Sequence, residues 1–103
     1  MKIITPICLT IILLSSCQGE VKKYGKSYQQ NGDIESLEKA LSLIEIGCDT
    51  SYIKQILGEP IDFGFDYRYL TDSIGENGCS VGAVFGIDSC GKISSKYILE
   101  ICE

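Results

Sequence analysis

The stretch SVGAVFGIDSCGKISSKYILEI, Ser80 to Ile101, alternates apolar with small or polar residues on both sides of a turn. Val81, Ala83, Phe85 and Ile87 fall on one face of a strand running from about Ser80 to Asp88, and Ile93, Tyr97, Leu99 and Ile101 mark a strand from about Lys92 to Ile101. A period of two is the signature of a half-buried strand. Between the strands, Asp88-Ser89-Cys90-Gly91-Lys92 reads as a three-residue hairpin loop with Gly91 at the left-handed position. Pairing Asp88 with Lys92 sets Ile87 opposite Ile93 and Val81 opposite Leu99, so that all apolar residues share one face. A register one residue different sets Phe85 opposite Lys96 and breaks that pattern.

Upstream, IDFGFDYRYLT continues the same period: Ile61, Phe63, Phe65, Tyr67 and Tyr69 alternate with Asp62, Gly64, Asp66 and Arg68, predicting a first strand with a buried aromatic face. Thr71 to Cys79 is rich in turn formers and reads as a loop. Further upstream the period changes to 3.6. In DIESLEKALSLIEIG, Ile34, Leu37, Ala40, Leu41 and Ile44 share a helical stripe, with Asp33 placed to cap it and Gly47 just past its end. In GCDTSYIKQILGEP, Asp49 is the N-cap of a second short helix whose stripe is Ile53, Ile56 and Leu57, with Cys48 set to staple against Ile53. Gly58 and Pro60 stop it. The predicted fold is a two-layer α+β domain, two short helices packed on a three-stranded antiparallel meander in the order ααβββ.

The N-terminus, MKIITPICLTIILLSSC, has a positive Lys2, an apolar run from Ile3 to Leu14 too short to span a bilayer, and small residues before Cys17. It reads as a secretory signal over residues 1–16. Residues 17–32 are polar and glycine-interrupted and read as a tether, leaving residues 33–103 as the folded domain. Removing Lys2 from nine basic against fourteen acidic residues takes the net charge from −5 to −6. Lys22, Lys23 and Lys26 lie in that tether, so the domain itself is acidic, which argues against nucleic acid as a partner. The chain has no histidine, and so lacks the commonest general base and the commonest metal ligand. It also has no glycine-rich phosphate loop and no serine in a nucleophile-elbow setting. Asp62, Asp66 and Arg68 share the polar side of the first strand; a solvated face is the favoured reading over a carboxylate site. No enzyme, no cofactor and no small-molecule substrate are expected. Gly64, Gly82 and Gly86 either smooth an exposed patch for a partner or let the sheet curve.

Cys48, Cys79, Cys90 and Cys102 remain in the domain, an even number that suggests two disulfides. Cys90 at the hairpin tip and Cys102 at the far end of the strand lie roughly 40 Å apart at ~3.3 Å per residue, which excludes that pair, and the same reasoning excludes Cys79 with Cys90. Cys79–Cys102 and Cys48–Cys90 are the expected bridges. The first requires a bulge or an irregular end, because the preferred register sets Cys79 opposite Ile101. A free thiol pair or a metal site are the alternatives, the latter disfavoured by the lack of histidine and of a Cys-x-x-Cys spacing.

Leu14-Ser15-Ser16-Cys17 resembles the lipobox of bacterial lipoproteins, in which the cysteine carries the acyl chains and becomes the mature N-terminus. Gly47-Cys48-Asp49, Leu57-Gly58-Glu59-Pro60, Tyr67-Arg68-Tyr69 and Phe85-Gly86-Ile87-Asp88-Ser89-Cys90-Gly91-Lys92 together resemble the pattern of the SmpA/OmlA (BamE-like) small outer-membrane lipoproteins, over about Leu43 to Ile93. The departures are two extra residues after Phe85 in the last motif, Cys48 in place of a methionine, the absence of tryptophan and four mature cysteines. The resemblance implies the ααβββ fold shared with the β-lactamase inhibitor proteins and lipid attachment at Cys17. It also implies an outer membrane location facing the periplasm, and a scaffold role whose partner is another envelope protein. The alternative is an inhibitor or immunity protein against a periplasmic enzyme such as a cell-wall hydrolase or a β-lactamase.

Overall fold

The computed structural model describes residues 19–102. The signal segment 1–16 and Cys17 lie outside the described residues. Three helices precede a four-stranded antiparallel sheet: α1 through residues 19–31, α2 (Ile34–Leu43), α3 (Thr50–Leu57), then β1 (Ile61–Asp62), β2 (Asp66–Ile74), β3 (Ser80–Ile87) and β4 (Ile93–Ile101), with strand order β1-β2-β3-β4. The α+β class is as expected; the helix and strand counts each rise by one.

The extra helix is α1, where the sequence reads as a tether. Val21, Tyr24, Gly25 and Tyr28 recur at i, i+3, i+4 and i+7, a helical stripe in which glycine holds an apolar position. That glycine marks a close approach: a Cβ at residue 25 would lie 2.2 Å from the Ile56 carbonyl oxygen of α3. Val21 is buried in the core, the Tyr28 hydroxyl donates to Leu70 O at 2.6 Å, and the Gln29 amide donates to Ile56 O at 2.9 Å. Tyr28, Tyr69 and Phe85 form an edge-to-face chain with centroids 6.2 and 5.9 Å apart, joining α1 to β2 and β3. α2 is capped by Asp33, whose side chain accepts from the Ser36 N–H at 3.0 Å and the Ser36 hydroxyl at 2.8 Å. Those two bonds hold the Asp33 carboxyl below its usual range. Asp49 stands at the N-cap of α3 without a capping bond; its carboxylate instead pairs with Lys92.

The extra strand comes from splitting the predicted first strand in two. Gly64 has φ +86°, and its N–H donates to the Asp62 carboxylate at 2.7 Å, so Phe63-Gly64-Phe65 turns the chain and β1 folds back on β2 with Ile61 opposite Arg68. Phe63 and Phe65 are therefore exposed at the turn, Phe65 by 67%. The alternation expected to bury five residues buries only Tyr67 and Tyr69, which face Phe85 and Ala83 across the β2–β3 ladder.

The β3–β4 register differs from the preferred one, and the difference is one residue. Ile87 stands opposite Ile93 as expected, but the ladder shifts between Ile87 and Gly86, which pairs with Ser95. From there Phe85 faces Lys96, Ala83 faces Ile98 and Gly82 faces Leu99. The bulge at Ser94 turns Lys96 and Ile98 toward the helices and Tyr97 and Leu99 away from them. Lys96 on the inner face is not a breach of pattern: its ammonium donates to Leu41 O at 2.8 Å and Ile44 O at 2.6 Å, carbonyls at the C-terminal end of α2. A cation there satisfies orphan acceptors and meets the negative end of the helix dipole. The core beneath is Leu37, Ala40, Leu41, Ile44, Ile53, Ile56, Leu57, Tyr67, Tyr69, Ala83, Phe85 and Ile93 with Val21. Among the described residues no helix is long and apolar enough to cross a membrane.

Candidate functional site

At the open end of the β3–β4 hairpin the bulged register brings Cys79 and Cys102 opposite each other, and they form a disulfide with Cα atoms 5.3 Å apart. Glu100 clasps the adjoining turn. Its carboxylate accepts from the N–H groups of Asn77 and Cys79, each at 2.9 Å, and from the Asn77 side-chain amide at 3.3 Å. The backbone donors hold the Glu100 carboxyl below its usual range. The Cys79, Glu100 and Cys102 ligand atoms lie within 4.8 Å of one another. With both sulfurs in the disulfide no thiolate is free to ligate, and the group reads as a turn clasp rather than a metal centre.

The second expected bridge, Cys48–Cys90, is not formed: both are free thiols, Cys90 exposed and Cys48 half-buried. Residues 47–50 lie against the start of β4. The Gly47 N–H donates to Ile93 O at 2.7 Å, the Ile93 N–H to Cys48 O at 2.9 Å, and the Thr50 N–H to Gly91 O at 3.3 Å, with Asp49 bridging Lys92. Cys48 thus stands level with Ile93 on β4, whereas Cys90 lies in the hairpin turn that precedes the strand. Burial pushes the Cys48 thiol up, away from the reactive thiolate form. At the same junction Lys92 pairs with the Asp49 carboxylate, which raises the lysine above its usual range.

The sheet face opposite the helices carries the most distinctive surface. Its cross-strand rows are Asp66–Gly86–Ser95, Ile61–Arg68–Val84–Tyr97, Leu70–Gly82–Leu99 and Ile74–Ser80–Ile101. Ile61, Leu70, Ile74, Tyr97 and Leu99 are exposed there, Tyr97 by 59%. No helix among the described residues packs on this side. Gly82 between Leu70 and Leu99 answers the alternative posed by the sequence. A Cβ at that position would meet the Tyr69 carbonyl oxygen at 2.2 Å, so glycine is needed for the close approach of β2 and β3, and the gap it leaves between two leucines follows from that.

The three polar residues of the predicted first strand do not form one site. Asp66 and Arg68 share the outer face and pair at 3.4 Å, and the Arg68 guanidinium lies 4.4 Å from the centre of the Phe63 ring. Asp62 stands opposite Tyr67 and caps the Gly64 turn. The surface feature that the sequence pattern conceals is in β4. The alternation sets Tyr97 and Leu99 on the core face, and only the doubled serine Ser94-Ser95, a place for a bulge, points otherwise.

The comparisons with known proteins place no relative beside this surface: no protein-family model, no curated protein and no solved structure matches the chain.

Proposed function

We propose that the chain is a non-enzymatic, lipid-anchored protein of the bacterial cell envelope that binds another protein through the outer face of its sheet. One observation carries the reading: Ile61, Leu70, Val84, Tyr97 and Leu99 form an apolar face with no helix over it among the described residues. Exposed apolar surface of this kind marks interaction sites. The partner that fits is a protein with an apolar centre and a basic rim, because the domain from Asn31 onward holds thirteen acidic against five basic residues. The lipobox-like Leu14-Ser15-Ser16-Cys17 and the resemblance to the SmpA/OmlA family favour an envelope partner facing the periplasm.

A photo-crosslinking side chain at position 97, with position 38 on the exposed side of α2 as control, tests the reading in the native membrane. The expected result is an envelope protein joined from position 97 only. Its purified form then loses at least about tenfold in affinity toward Val84→Asp, a change of about 1.4 kcal/mol, and binds less tightly as salt rises. Equal crosslinking from both positions, or binding indifferent to Val84→Asp, overturns it. A captured hydrolase whose activity falls on binding assigns the chain to the inhibitors instead. Fatty-acid labelling tests the anchor, since Cys17→Ala must abolish it.

A further inference from the structure

We propose that β4 pairs edge to edge with β4 of a second copy of this chain, in an antiparallel two-fold register centred on Ile98. This does not rest on the function proposed above. The Ile87 N–H donates to Phe65 O at 2.9 Å, so the main-chain groups of Ile87 face β2 and those of Gly86, Val84 and Gly82 face β4. Val84 pairs with Tyr97 and Gly82 with Leu99, which leaves the N–H and C=O groups of Lys96, Ile98 and Glu100 pointing outward from the sheet. Among the described residues no main-chain hydrogen bond from beyond β3 reaches them. The start of the edge is covered, because residues 47–50 bond to Gly91 and Ile93. The open edge therefore runs from Ser95 to Ile101 and is bounded beyond by the disulfide at Cys102.

An edge of this length with apolar side chains is a template for another strand. What selects a second copy is the sequence of the edge itself. Centred on Ile98, self-pairing sets Lys96 opposite Glu100 twice and Tyr97 opposite Leu99 twice. The first pairing is of opposite charges. The second joins an aromatic and an aliphatic residue in non-hydrogen-bonded positions, where cross-strand side chains approach most closely. Other centres lose this match. A centre at Lys96 or Glu100 opposes like charges, a centre at Tyr97 runs into residues 47–50, and a centre at Leu99 opposes Ile98 to Glu100. Of this charge pair, the Lys96 ammonium keeps one of its three donors beyond the two used within the chain, while the Glu100 carboxylate also holds the turn at Asn77 and Cys79. The two-fold axis stands perpendicular to the sheet, so the outer faces of the two copies join into one eight-stranded surface.

The test uses the full chain with Cys8, Cys17, Cys48 and Cys90 each changed to serine, so that no thiol remains outside the Cys79–Cys102 disulfide, in a non-ionic detergent matched in density for sedimentation equilibrium. A monomer–dimer equilibrium is expected at concentrations up to about 100 µM. Tyr97→Cys and Leu99→Cys are then added separately to that background. Both positions are exposed, so both variants fold. Mild oxidation of the mixture gives a crosslinked heterodimer, and oxidation of either variant alone gives at most a tenth of that yield. A strictly monomeric chain over that range, or crosslinking of each variant alone as strong as in the mixture, overturns the proposal; the second outcome indicates stacking of outer faces without edge pairing.

Discussion

Replacing Lys96 by methionine removes a charge and leaves a stem of similar length beside Phe85, and it tests the bulge directly. The ammonium donates to Leu41 O and Ile44 O at 2.8 and 2.6 Å. A hydrogen bond from a charged donor contributes about 1.5–3 kcal/mol when buried, and a cation at a helix C-terminus adds about 0.3–1 kcal/mol. Lys96 is half-exposed, so water recovers part of each bond once the charge is gone. A net loss of about 2 kcal/mol follows, and at roughly 4–8 °C per kcal/mol for a domain of this size Tm falls by about 8–16 °C. Urea unfolding followed by far-UV circular dichroism, at low protein concentration, measures the loss. Tyr97→Ser is the companion variant. In the bulged register Tyr97 is 59% exposed and its removal costs less than about 1 kcal/mol. In a regular hairpin Tyr97 faces the core, and the same substitution costs more than about 3 kcal/mol. A Lys96→Met chain within about 0.5 kcal/mol of the parent, with Tyr97→Ser strongly destabilised, refutes the bulge and everything built on it.

Reduction of Cys79–Cys102, which spans 23 positions, lowers stability by about 3.4 kcal/mol from loop-closure entropy; matched urea titrations with and without reductant measure it, and a change under about 1 kcal/mol contradicts the account. Gly25→Ala is a test of sign: helix propensity alone stabilises by about 1 kcal/mol, while the Cβ placed 2.2 Å from Ile56 O predicts a loss of about 1–3 kcal/mol and faster amide exchange throughout α1. Glu100 has its pKa lowered by folding, so its contribution is complete above the ordinary glutamate value of about 4.3 and fades as pH falls through the folded value. Glu100→Gln must therefore differ from the parent in stability at neutral pH and converge on it in acid; a gap of constant size across that range rules the clasp out.

The sequence reads clearly wherever one period runs unbroken between capping residues. α2 has Asp33 before it and apolar residues at regular helical spacing, and the β3–β4 hairpin turns at Asp88 to Lys92 as its loop chemistry requires. What misleads is glycine and the doubled serine. Gly64 sits where the alternation wants a polar strand residue and is instead a left-handed turn. Gly25 sits in a helical stripe and, lacking a side chain, conceals it, so that a packed helix looks like a tether. In both cases the residue is defined by the backbone it must accommodate, and hydrophobic patterning is blind to that. Of the outer face, Arg68 and Val84 are legible from alternation alone. Tyr97 and Leu99 are not, because their side depends on a bulge whose energetic reason, the carbonyls of Leu41 and Ile44, lies more than fifty residues earlier in the chain.

The bulge at Ser94 couples features that are separate in the sequence. A strand has only two sides, so inserting one residue into the ladder exchanges every side chain beyond it. The same shift that carries Lys96 to the C-terminus of α2 brings Cys102 level with Cys79 and sends Tyr97 and Leu99 outward. The helix cap and the disulfide each favour the bulged register independently, one at either end of β4. Tyr97 and Leu99, which lie between them, are left in contact with water. Their exposure is a consequence of stabilising interactions at both ends, and it supplies the face and the edge on which the two proposed contacts depend.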